Sequence, residues 1–130
     1  MNEATQEAVR QRLSRAKSDW ETVGILSSHS DSPPESICFH CQQYVEKLLK
    51  ALLTRSGIES PKTHDVRRLV QLAVPQVPEF SEMLDSADLF TEYAAALRYP
   101  DEWRETEPEE VQDLIALSKR FAELLLPKLE

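Results

Sequence analysis

From Ile37 to Leu53 apolar side chains return at three- and four-residue steps: Ile37, Cys38, Cys41, Tyr44, Val45, Leu48, Leu49, Leu52 and Leu53. On a helix with 3.6 residues per turn these positions form one broad face, wider than a single neighbour can cover. A helix of this kind belongs at the centre of a bundle, with partners on two sides. Ser32-Pro33-Pro34-Glu35 supplies its start, with Ser32 as cap and proline in the first turn. Gly57 stands where a left-handed residue closes a helix, after about Ser56.

The remaining segments carry narrower stripes of the same period. Val9, Leu13, Ala16, Trp20, Val23 and Leu26 predict a first helix from about Asn2 to Ser27. Val66, Leu69, Val70 and Ala73 predict a short third helix from His64, capped by Thr63. Phe80, Met83, Leu84, Ala87, Phe90, Tyr93, Ala94 and Leu97 predict a fourth from Glu79 to Arg98, stopped by Pro100. Thr106-Glu107-Pro108-Glu109 reads as a capping box opening a fifth, which Pro127 ends. No segment alternates at period two. The expected fold is all-α: an up-and-down bundle of four long helices plus one short helix, formed by residues 1–130 as a single domain.

Composition narrows the function. Two glycines are too few for a Gly-rich phosphate loop or a dinucleotide fingerprint. Two cysteines cannot build a disulfide scaffold or a four-Cys zinc site. No apolar run approaches the roughly 18 residues of a membrane span, and Met1–Arg12 has no apolar signal core. A cytoplasmic protein without membrane contact is expected. The net charge of −8 is unevenly spread: residues 1–72 carry +1 and residues 73–130 carry −9. The acidic half argues against a broad nucleic-acid surface and against DNA as a partner.

Cys38 and Cys41 form a CxxC spacing, yet both fall on the apolar stripe and read as small core hydrophobes. His29, His40 and His64 show no HxxxH or HExxH spacing, so no metal site and no cofactor are expected. His64, beside Asp65 at the start of the third helix, reads as a cap or first-turn contact; Lys47 and Lys50 share one side of the second helix, with Lys62, Arg67 and Arg68 around the third. They read as a solvated face with an i,i+4 pair between Glu46 and Lys50, or as an anion pocket for a nucleotide or RNA phosphate. Arg98-Tyr99-Pro100-Asp101 sets a cation and an aromatic ring at a helix end, as a dipole-compensating stop or as a stacking surface.

Several of these residues occur together in a known pattern. Cys41-Gln42-Gln43-Tyr44-Val45-Glu46-Lys47-Leu48-Leu49-Lys50-Ala51-Leu52-Leu53, then Gly57, then Thr63-His64-Asp65-Val66, then Arg98-Tyr99-Pro100-Asp101, with Ala16 and Asp19 upstream, resembles the HEPN domain family (higher eukaryotes and prokaryotes nucleotide-binding), in its small stand-alone prokaryotic form. The resemblance spans about residues 4–128. It implies a four-helix bundle with a short extra helix, a homodimer, and a minimal nucleotidyltransferase as partner in toxin–antitoxin or defence-like pairs. Some members are ribonucleases whose signature is Arg followed four to six residues later by His. After Arg98 come Tyr99, Pro100, Asp101, Glu102, Trp103, Arg104 and Glu105, without His. The expectation is a non-catalytic HEPN protein that dimerises and pairs with such a partner. Its nucleotide or phosphate candidates are Lys47, Lys50, His64, Arg98, Tyr99 and Asp101, and it has no assigned catalytic residue. The alternatives are an unorthodox ribonuclease toxin using Arg98 at a dimer cleft and a ligand-free helical adaptor.

Overall fold

The structure, a computed structural model, describes the backbone of residues 1–98 and 105–130, and side chains outside 94–104. The helices, in chain order, are α1 (Glu3–Ser27), α2 (Pro34–Arg55), α3 (Val66–Ala73), α4 (Leu84–Arg98) and α5 (Pro108–Leu129). Among the described residues there is no strand. The long central helix predicted from the wide stripe is α2, which packs against all four others. Helices α1 and α5 flank α2 without packing on each other, while α3 and α4 pack together on another side.

Contacts give the helix directions. Trp20 stacks on Tyr44 at 4.7 Å between ring centroids, and Asp19 reaches Lys47, so α1 runs antiparallel to α2. Arg55 near the end of α2 donates to the Leu129 carbonyl at 3.2 Å, and Ser118 lies beside Cys41, so α5 runs parallel to α2. The core lies between them. Leu48, Leu49, Leu52 and Leu53 of α2 are fully buried or nearly so, with Phe80, Phe90 and Phe121 beside them. Phe121 meets Phe80 at 5.3 Å and Phe90 edge-on at 5.8 Å. Each such side chain contributes about 1.5–3 kcal/mol through burial.

Helix starts fall one to five residues later than predicted, for local reasons. Pro34 excludes helical backbone at the residue before it, so Pro33 is extended (ψ 121°) and Ser32 makes no cap. Pro108 does the same to Glu107 (ψ 150°), so the capping box is made by Glu107 with Glu110, and Thr106 is instead buried. Asp65, not Thr63, caps α3 by accepting from the Arg68 amide, while the Thr63 hydroxyl accepts from the Asp65 amide. Residues 78–82 wind as a tighter 3-10 turn that sinks Phe80 into the core, so α4 begins at Leu84 rather than Glu79. Pro127 does not stop α5. It removes only its own backbone bond, and the helix continues to Leu129.

At the end of α2, Gly57 has φ +75°. Ile58 donates to Leu53 at 2.9 Å and Gly57 to Thr54 at 3.2 Å, which is the Schellman closure. Cys38 and Cys41 are both free and fully buried. Burial pushes the Cys38 thiol up to about 12, aided by Cys41, and the Cys41 thiol up to about 11. Both are inert core groups rather than ligands or redox partners.

Two outcomes follow. Gly57→Ala leaves the left-handed position strained and costs about 1 kcal/mol in a denaturant melt. The raised thiols hold their protons in the folded state and lose them from 9.0 upward in the unfolded chain. Their stabilisation is therefore complete below pH 9 and is lost as pH rises toward 11–12. Melts at pH 8 and 10.5 should differ less in Cys38→Ala/Cys41→Ala than in the parent protein, with pH window set by the same shifts.

Candidate functional site

The polar residues of α2 line one side of the helix because His40, Gln43, Lys47 and Lys50 recur at three- and four-residue steps. They meet two buried carboxylates. Asp19 of α1, 9% exposed at its side chain, accepts from Lys47 Nζ at 2.5 Å and pairs with His40 Nδ1 at 2.8 Å. Glu46 of α2, 6% exposed, accepts from Lys50 Nζ at 2.8 Å and pairs with His64 Nδ1 at 3.1 Å. Gln42, fully buried, also donates to Glu46, and Gln43 donates to Gln42 at 2.8 Å. Each carboxylate thus holds one lysine and one histidine. Asp19 ties α1 to α2, and Glu46 ties α2 to the segment before α3.

Lys47 and Lys50 also form one wall of an open cleft of about 330 Å³. Its other wall is α1, through Gln11, Arg12 and Arg15. Arg12 and Arg15 make no ion pair among the described residues. With Asp19 and Glu46 offsetting the two lysines, these guanidiniums leave the cleft with an uncompensated positive charge. A planar guanidinium with parallel N–H groups suits a phosphate oxygen pair better than any other side chain.

The predicted candidates therefore separate. The structure brings Lys50 and His64 together on Glu46 and sets Lys47 on Asp19, and both lysines reach the cleft. Arg67, read with them as a cluster, is turned away and paired with Asp85 at 3.0 Å and Asp88 at 3.1 Å. Arg98 closes α4, but its side chain, like Tyr99 and Asp101, lies outside the described residues. Sequence reasoning missed Arg12 and Arg15. They stand three apart on the polar face of the first helix, and that spacing was the available signal. Among the described residues no group of three or more His, Cys, Asp or Glu could hold a metal ion.

Removing the Glu46 charge leaves the mostly buried Lys50 ammonium without its counterion and His64 without its partner. Glu46→Leu should lower stability by about 3 kcal/mol, and adding Lys50→Met should recover part of the loss, measured as a double-mutant cycle in urea.

Among the described residues no helix is long and apolar enough to cross a membrane. Neither the curated proteins nor the solved structures yield a match to this chain. The family model of the HEPN domain matches residues 9–129, nearly the whole chain and every helix that builds the two carboxylate centres. The chain belongs to the HEPN domain family.

Proposed function

We propose that this HEPN protein binds phosphate groups of a nucleotide or RNA between α1 and α2 without cleaving them. It works as a cytoplasmic homodimer paired with a minimal nucleotidyltransferase-type partner, in a toxin–antitoxin or defence-like module. The observation that carries the ligand is the pair of guanidiniums, Arg12 and Arg15, which make no ion pair among the described residues and face Lys47 and Lys50 across the cleft. The charge distribution supports it. The residues from 73 onward carry −9 and repel a polyanion, which leaves the near-neutral first half as the approach. The family relationship supports the dimer and the partner.

The non-catalytic reading rests on the histidines. Proton transfer to a phosphodiester needs a placed acid or base. No His follows Arg98 within the family's ribonuclease spacing, and His40 and His64 are each engaged with a buried carboxylate.

Fluorescence anisotropy with a short labelled single-stranded RNA, and calorimetry with ATP, test this reading. The protein should bind at least one of them, and Arg12→Ala/Arg15→Ala should weaken that binding about tenfold or more. Log affinity should fall with log salt by about 0.7 per phosphate engaged. The RNA should stay full length. Cleavage that vanishes in Arg98→Ala would favour the ribonuclease, and no binding of either ligand would favour the adaptor.

A further inference from the structure

The cationic cleft between α1 and α2 is short. Arg12 and Arg15 stand about one turn apart on α1, as Lys47 and Lys50 do on α2. At a rise of 1.5 Å per residue each pair spans about 4.5 Å of its helix. In both directions along α1 the arginines give way to a carboxylate. Glu7, before Arg12, accepts from Arg10 at 2.7 Å and from Gln11 at 3.3 Å. Asp19, after Arg15, holds His40 and Lys47. Of the other cations between them, Arg10 is paired with Glu7, and Lys17 faces the hollow lined by Trp20 and Tyr44. A nucleic-acid strand is held by a cationic track that follows several nucleotides. The α1–α2 cleft, of about 330 Å³, lies at the small end of single-ligand sites, which run from about 300 to 1,000 Å³. Its cations serve one end of a ligand rather than a run of backbone phosphates.

Charge sets which phosphate suits it. Asp19 and Glu46 offset Lys47 and Lys50, so Arg12 and Arg15 carry the uncompensated charge, one unit each. A backbone phosphodiester brings a single negative charge. A phosphomonoester brings about −1.5 to −2 at neutral pH and offers three acceptor oxygens. Two oxygens fill one guanidinium fork, and a third lets a second fork engage, so one terminal phosphate can take both arginines. The described residues lining the cleft include no aromatic ring. Proteins that hold bases without regard to sequence stack them on such rings, and here the base has no platform.

We propose that the α1–α2 cleft recognises a terminal phosphate, the phosphomonoester of a nucleotide or of an RNA end, and is indifferent to the base behind it. The proposal rests on the phosphate-binding reading above and narrows it to one class of phosphate.

Anisotropy with one RNA sequence, bearing either a terminal phosphate or a terminal hydroxyl and labelled at the other end, tests it on the full chain. The phosphorylated RNA should bind about tenfold tighter. AMP and UMP should displace it equally, within about twofold, and adenosine should not. Affinity for AMP equal to that for the phosphorylated RNA assigns the cleft to free nucleotides, and a tighter RNA assigns it to RNA ends; either supports the proposal. Arg15→Ala, at an exposed position, should reduce the preference, and Arg12→Ala/Arg15→Ala should abolish it, with thermal melts showing that both variants fold. Equal affinity for the two RNAs, weakened alike in the double variant, overturns the terminal-phosphate assignment and leaves the phosphate cleft standing. A preference that survives the double variant, or AMP and UMP differing about tenfold, also overturns that assignment. No binding of any phosphate-bearing probe overturns both.

Discussion

A carboxylate sealed inside a helical bundle dictates what must surround it. Glu46 sits on the central helix with almost no access to water, and its two oxygens need donors. Gln42 and Lys50 come from α2 itself, but His64 lies 18 residues along the chain. The segment leading into α3 must therefore return to the middle of α2. Asp19 imposes the same demand from the other side, since His40 and Lys47 fix how far α1 slides along α2. Apolar burial supplies most of the stability, yet many helix registers would bury similar area. The two charged centres select one, because any slip strands a carboxylate.

This arrangement separates structural from exposed cations. Lys47 and Lys50 hold the bundle together before they hold anything else. Their partial neutralisation leaves Arg12 and Arg15 as the groups with charge to spare on that flank. The two sides of α1 are then specialised by chemistry: cationic toward the α2 lysines, apolar toward α5.

Much of the fold was legible because helical periodicity is a local signal. The broad stripe from Ile37 to Leu53 announced a central helix, and Gly57 announced its end. The stripe also placed Cys38 and Cys41 in the core against the pull of their spacing. Helix starts were less legible, because the proline one residue on decides which polar side chain can cap, as at Pro34 and Pro108. The site was half legible. The Glu46–Lys50 pair lies one turn apart and could be read directly. The contacts of Asp19 with Lys47 and of Glu46 with His64 depend on how helices pack, which spacing along one helix does not encode. Arg12 and Arg15 looked like any solvated pair until α2 appeared as the opposite wall.

The anion site is proposed to lie between α1 and α2. The most direct test follows the side-chain nitrogen signals of arginine and lysine by NMR as a phosphate-bearing ligand is added. Saturable shifts at Arg12, Arg15, Lys47 and Lys50 with a common affinity are expected. Shifts confined to residues 98–104, with those four signals unmoved, would contradict it.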